Sequence, residues 1–506
     1  MKYIIALTLF LTGLSLYPQP DTEVFLFEID RTGGKWSLVN PMNISNNKGY
    51  DNQPSFYDNN NILFSSTRNG QTDIALYNLV TGNTKWLTNT SGGSEYSPIR
   101  IPNSHDFSAI RLDTTGLQRL YRYNISTGNS SLIREDAKVG YHVWFTEDIL
   151  VNTILIENRM DLIVSNLEDK RDFKVQKKVG RSLHSIPNSE KVSYIGIEGN
   201  GSLLKSLDPK TGETQLITSI PKGITDMCWL PEGGFLLPKK NVIIKFSEDL
   251  KQEPLVIDLS EFKEIYTISR MAVSPNGKYL ALVSEESPAK IVQKQVESYN
   301  AGILDAFVNC YSEDVLVTIF PSDTLYVGRG EMRKHYNGLA PEKKVYDVEV
   351  KQRIVMGNKV IDEEQVTGKG QVKMQLALYE IINGRIKSMN FIFDDTTAEN
   401  PEPIVQKQLD AYNDRDIDAF VNTYSDDIKV FDFPNQALFK GKDQMRERYT
   451  SFFNDTPDLH CEIKTRMVIG NKVIDEEYIT ANGTNFSAVA IYEVQNGRIV
   501  KVTFLR

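Results

Sequence analysis

From Thr22 to Glu286 the chain alternates short apolar runs with polar turns and shows almost no helical period. Alternation of this kind over about four to eight residues is the mark of a half-buried strand. LYNLVTGNTKWLT, YRYNISTGNSSLI and LKSLDPKTGETQLIT each set two strand patterns around a Thr-Gly turn. The glycine supplies the positive φ that a bulged hairpin needs. The turns fall at Thr32-Gly33, Thr81-Gly82, Thr127-Gly128 and Thr211-Gly212, at spacings of 49, 46 and 84 residues, the last being two units of 42. One supersecondary unit is therefore used repeatedly. A second hairpin lies upstream in each unit, as in PSFYDNNNILFSST, so a unit holds four strands, which is a propeller blade.

The ends of this region complement each other. Leu26 to Asn40 reads as the second hairpin of a blade and Arg270 to Ser284 as the first. Together they make one blade, closing the ring without a free edge. With four complete units and a degraded one between Gly223 and Glu261, the expectation is six blades, with seven as the competitor. The stretches SPNGKYLA and LYNLVTG resemble the TolB-type, WD-like β-propeller family, over roughly half the chain. The resemblance implies a binding platform rather than a particular activity.

Past Ser287 the period changes. In the final stretch, Ile404 to Tyr412 and Asp416 to Tyr424 carry apolar residues at helical spacing, IKVFDF is a strand closed by Pro434, and Gly441 to Phe452 is a third amphipathic helix. CEIKTRMVIG, KVIDEEYIT, NFSAVAIYEV and RIVKVTFLR follow as strands, with tight-turn dipeptides at Gly470-Asn471 and Asn496-Gly497. The same order occurs twice. Ile291 to Phe393 recurs without a gap as Ile404 to Arg506, at an offset of 113, with about 45 of 103 positions identical.

YNAGILDAFVNCYSED (Tyr299 to Asp314) and its twin YNDRDIDAFVNTYSDD (Tyr412 to Asp427), with the FxGKDQMRERY pattern from Phe439 and the closing YEVQNGRIVKV, resemble the nuclear transport factor 2-like superfamily. The likeness is to its SnoaL-like and ketosteroid isomerase-like branch. It implies helices wrapping a bent sheet around a pocket, and sheet-to-sheet dimers, which a tandem copy could supply as an intramolecular pseudo-dimer. The expected fold class is thus multidomain: an all-β six-bladed propeller followed by two α+β cone-shaped domains. The boundaries read as a signal peptide at 1–20, the propeller at 21–287, the first cone at 288–394, a linker at 395–403 and the second cone at 404–506.

In the isomerase branch an Asp acts as general base, and a Tyr and a protonated acid form the oxyanion hole. The resemblance carries the base onto Asp432, but its counterpart in the first copy is Ile319. The Tyr position holds Gln408 and Gln295, and the acid position Ala490 and Ala377. Asp432 is therefore the one catalytic candidate. Tyr412, Tyr424, Tyr449 and Tyr492, with twins Tyr299, Tyr311, Tyr336 and Tyr379, are candidates to line a ligand pocket. Asp475-Glu476-Glu477 recurs as Asp362-Glu363-Glu364; strand alternation puts the middle Glu opposite its neighbours, and the cluster reads as a solvated face rather than a metal site. His460 alternates with Glu462, Lys464 and Arg466 on one face of its strand, with Cys461, Ile463 and Met467 on the other, and reads as surface; His335 becomes Arg448 in the second copy, which argues against a shared catalytic role. Cys228, Cys310 and Cys461 read as buried free thiols, too few for a disulfide framework.

Composition narrows the class further. The net charge of −9, without a basic run, argues against nucleic-acid or anionic-membrane partners. Lys2 followed by the apolar run Tyr3 to Tyr17 has the layout of a secretory signal, and no later run is long enough to insert in a membrane. GxSxG, HExxH, Walker A and paired CxxC motifs are absent, and no metal or cofactor is expected. Two functions remain open. One is a periplasmic or extracellular binding or scaffold protein, with an unidentified protein or small apolar ligand as partner. The other is an isomerase- or hydrolase-like enzyme acting on a small apolar substrate through Asp432.

Overall fold

The computed structural model describes residues 21–394 and 399–505, so the segment read as an export signal lies outside the described residues. Two compact units divide the chain between Ser287 and Pro288.

The first unit holds six four-stranded antiparallel sheets, one per blade. The closing blade combines Thr22–Asp30 and Ser37–Asn43 with Thr267–Val273 and Tyr279–Glu285, so the two ends of the region meet in one sheet. Period-two alternation explains how blades stack. In strand Thr22–Asp30, Val24 and Leu26 pack toward the blade that follows, with Phe64 and Ala75. Phe25 and Phe27 pack toward the last blade, with Leu236 and Ile243. Four further apolar clusters fill the remaining spaces between consecutive blades, which completes the ring. The degraded unit is the blade with the shortest strands, Cys228–Trp229, Phe235–Lys239, Val242–Phe246 and Leu255–Asp258.

The Thr-Gly turns share one local device. The side chains of Asn78, Asn124 and Asp208 accept backbone N–H bonds from Thr81, Thr127 and Thr211 at 2.9, 3.0 and 3.3 Å. Each following glycine has positive φ. At Gly128 a Cβ would also come within 2.5 Å of the Leu87 carbonyl oxygen, so that position tolerates no side chain.

In the second unit each copy forms a six-stranded sheet with three helices. In the second copy the sheet order is Gln436–Lys440, Tyr424–Asp432, Arg498–Leu505, Thr484–Gln495, Lys472–Ala481 and His460–Ile469. Tyr424–Asp432 runs parallel to Arg498–Leu505; the other neighbours are antiparallel. The helices are Glu402–Asn413, Ile417–Val421 and Lys442–Asp455. Asn413 ties the first helix to the edge strand through both backbone groups of Cys461 (3.0 and 2.7 Å), and Asn300 does the same with Val348 in the first copy. Asp416 caps the second helix by accepting from Asp418 and Ala419.

Three sequence-based expectations need correction. The second helix ends before Tyr424, because Tyr424 pairs with Ile499 as the first residue of a strand. A short edge strand, Gln436–Lys440, went unread because its five residues carry no clear alternation. Cys461, Ile463 and Met467 do not share a face. A bulge between Ile463 and Thr465 shifts the register, so Cys461 and Ile463 pack toward the helices while Met467 packs on the opposite side of the sheet.

That opposite side is also buried. Ile361, Leu376, Leu378 and Ile392 of the first copy form one apolar cluster with Met467, Ile474, Val489 and Ile491 of the second. The Lys501 ammonium lies 4.8 Å from the ring of Phe320 and 5.3 Å from that of Phe431, one ring from each copy.

Candidate functional site

Each central strand of the second unit is covered on both faces, so alternation decides what meets the helices. On Thr484–Gln495, Ala488, Ala490 and Tyr492 face the helices, while Val489 and Ile491 face the other copy. On the neighbouring strand Lys472–Ala481, Glu477 pairs in register with Ala488. In the second copy this geometry encloses a cavity of about 750 Å³, lined among others by Gln408, Tyr424, Tyr449, Glu477, Ala488 and Tyr492. Its tyrosines are backed by the buried Phe420, which lies 4.6 Å from Tyr449 and 5.1 Å from Tyr424, and Tyr412 lies 6.3 Å from Tyr449 between ring centroids.

One acidic group lines this apolar space. Tyr492 donates its hydroxyl proton to Glu477 Oε1 at 2.8 Å. Burial pushes the Glu477 carboxyl up to about 7, against the hydrogen bond from Tyr492, which favours ionisation. Burial and the nearby Glu477 charge hold the Tyr492 phenol well above its ordinary range. Gln408 and Tyr424 line the cavity beside them.

The first copy keeps the pair and adds a glutamine to it. Tyr379 donates to Glu364 Oε1 at 2.8 Å, and Gln375 Nε2 donates to Glu364 Oε2 at 2.8 Å. Gln375 stands where the second copy has Ala488. Burial again raises the carboxyl to about 7. Both oxygens of Glu364 are thus engaged by protein side chains, while among the described residues the hydrogen-bond partner of Glu477 is Tyr492.

A family model for the SnoaL-like domain matches residues 292–389 and 405–502. Both copies are SnoaL-like domains. Among solved structures, a cystatin-fold protein from Novosphingobium aromaticivorans is 24% identical, covering 22% of this chain and 100% of its own, with a TM-score of 0.21. A putative ketosteroid isomerase from Kribbella flavida is 14% identical over 22% of this chain and 82% of its own, at a TM-score of 0.20. Over the propeller, a putative TolB from Agrobacterium tumefaciens is 10% identical, covering 53% of this chain and 99% of its own, at a TM-score of 0.42. No match is found among curated proteins.

Within the second SnoaL-like domain, Tyr412, Tyr424, Tyr449 and Tyr492 all line the cavity. In the first, Tyr311 and Tyr379 are core residues, with Tyr299 and Tyr336 packed against them. Asp432 ends its strand beside Phe504, which lines the cavity, but is not itself among the lining residues. Ala490 is fully buried on the helix-facing side. His460 and His335 are exposed. Cys228 and Cys461 are buried free thiols and Cys310 is half-buried; Cys461 also lines the cavity.

The reading of the acidic clusters as solvated is overturned. Asp475 is 1% exposed, Glu477 7%, Asp362 0% and Glu364 3%. Alternation does oppose Glu476 to its neighbours, but the face shared by Asp475 and Glu477 lies under the helices. Asp475 is held there by a two-pronged pair with Arg466 (both 2.7 Å), as Asp362 is by Arg353. Glu477 is the functional candidate that sequence reasoning missed. Its signal was available: an acid repeated in both copies, on a strand whose alternate residues are Val473, Ile479 and Ala481. Among the described residues no three His, Cys, Asp or Glu side chains converge in a way that could hold a metal ion.

Proposed function

We propose that this is an exported binding protein whose second SnoaL-like domain takes a small, mostly apolar ligand bearing one hydrogen-bonding group. The observation that carries the reading is the exchange of Gln375 for Ala488, which leaves the Glu477 carboxyl facing a cavity of about 750 Å³ instead of a glutamine. A largely apolar cleft with a few convergent polar groups is the usual form of a small-ligand site. When protonated, the carboxyl can donate to a ligand oxygen while the tyrosine and phenylalanine wall contacts the ligand body. The first domain acts as a fixed packing partner, the intramolecular counterpart of a sheet-to-sheet dimer, and the propeller as a platform for a protein partner. Export rests on Lys2 and the apolar run that follows it.

Calorimetric titration of the full chain with naphthol and with naphthalene tests the pocket. Saturable naphthol binding, weaker for naphthalene and abolished by Ala488→Gln, is the expected result. Naphthol binding that survives Ala488→Gln, or none at all, would sink the reading.

An isomerase- or hydrolase-like activity on a small apolar substrate is the second reading. Asp432 has little to support it as the base, being off the cavity lining. Glu477 supports it better, since a carboxyl near 7 both holds and releases a proton at neutral pH. Deuterium exchange next to the carbonyl of cyclohexenone, followed by NMR and lost in Glu477→Gln, would favour turnover over binding.

A further inference from the structure

The propeller holds a second cavity, of about 780 Å³, lined by residues on or beside the innermost strand of every blade. Two guanidinium groups lie on it, Arg181 from Val179–Ser185 and Arg270 from Thr267–Val273. Arg270 is buried and pairs with Asp226, Nη1 to Oδ1 at 3.3 Å. The other Asp226 oxygen accepts the Met271 backbone N–H at 2.9 Å, so this carboxylate is fully committed. The Arg270 guanidinium also stands 5.1 Å over the Tyr141 ring.

Among the described residues Arg181 has no carboxylate partner. Its Nη2 donates to the Ser269 carbonyl at 2.6 Å, while its Nε is buried and makes no hydrogen bond. Burial disfavours its charge, and the nearby Arg270 charge disfavours it further. The surrounding groups do not restore the balance. His142 and His184 are held neutral by burial, which lowers both and takes His142 to about 3. Glu285 is close enough to feel the Arg181 charge, but it is not among the residues that line the cavity. Two guanidiniums therefore face one committed carboxylate, in a partly desolvated space where unpaired charge is costly. The walls add Phe56, Tyr141 and Trp229, an apolar surface for the body of a ligand.

We propose that the axial cavity of the propeller binds a small oxyanion, a carboxylate or a phosphate monoester with an apolar or aromatic body, with its charged oxygens shared by Arg181 and Arg270. A guanidinium presents its donors in a planar fork suited to such groups. The proposal is independent of the SnoaL-like pocket, being carried by the orphaned Arg181 donor in a different unit.

Calorimetric titration of the full chain with benzoate, phenyl phosphate and neutral benzamide tests it. At least one anion is expected to bind saturably, benzamide not, and the comparison of the two anions identifies the preferred oxyanion. Binding should weaken as sodium chloride is added. Arg181→Gln should weaken it by at least about tenfold while the thermal unfolding profile is retained. Arg181→Lys, which keeps the charge but loses the fork, should fall between. If Arg181→Gln does not fold, the contrast between anion and benzamide on the native protein and the Arg181→Lys titration still decide. No binding of either anion, equal binding of benzamide, or undiminished binding in the Arg181 variants would overturn the proposal.

Discussion

The residue that separates the two copies is an alanine. Ala488 and Gln375 occupy the same position beside a glutamate–tyrosine pair, and the glutamine side chain reaches the carboxyl that the alanine leaves facing a cavity. Ala488→Gln should therefore reproduce the first copy's contact, engaging the Glu477 carboxyl and adding roughly 1 kcal/mol for the new hydrogen bond, measured by chemical denaturation. The glutamate itself makes stability depend on pH. Its carboxyl rises from an ordinary 4.5 in the unfolded chain to about 7 in the fold. The folded state thus holds the extra proton across that interval, and the stability tied to it is full below 4.5 and lost as pH rises through about 7. Glu477→Gln keeps an acceptor for Tyr492 and cannot ionise. It should be more stable than the native protein at pH 8 by roughly 1–3 kcal/mol, with the difference shrinking toward pH 4.5. Urea denaturation at both pH values checks this. A variant no more stable at pH 8 would mean that the carboxyl is not desolvated.

At the scale of elements, the central strands of each cone serve two cores at once. Even-numbered residues of Thr484–Gln495 meet the helices, and Val489 and Ile491 meet the other copy. A near-continuous apolar strand of this kind reads like any buried strand, and the sequence alone does not say what covers its second face. Leu378, fully buried in the shared cluster, makes the arrangement testable. Leu378→Ala should cost roughly 2–5 kcal/mol in urea denaturation, the range for a leucine in a packed core, and not the small effect of a surface site. The bulge at Ile463 and Thr465 explains why His460 to Arg466 could not be assigned to faces by counting in twos. One extra residue turns Arg466 toward Asp475 and Gln406 and sends Met467 to the opposite side.

At the scale of the molecule, the propeller depends on its two ends meeting. Thr22–Asp30 pairs along its length with Tyr279–Glu285, and its two faces supply apolar residues to the clusters on either side. Removing residues 22–43 would take two of four strands from the closing blade and expose both clusters. The expected outcome is loss of the propeller's cooperative melting transition in calorimetry and rapid limited proteolysis of the first half. A truncated chain that melts normally would show that the ring does not need its seam.

The sequence by itself determined most of the architecture, because hairpin turns, period-two alternation and an ungapped duplication are local signals, set by backbone geometry and written in consecutive residues. The repeated four-stranded blade, the seam and the duplicated helix-and-sheet domain follow from them. Which carboxylate lines a cavity was decided only by tertiary structure. Alternation correctly grouped Asp475 with Glu477 and opposed them to Glu476, but whether that face met water or helices depended on segments about 20 to 75 residues earlier in the chain. Desolvation, which lifts Glu477 and disfavours the charge of Arg181, belongs to the packed molecule and to no stretch of it.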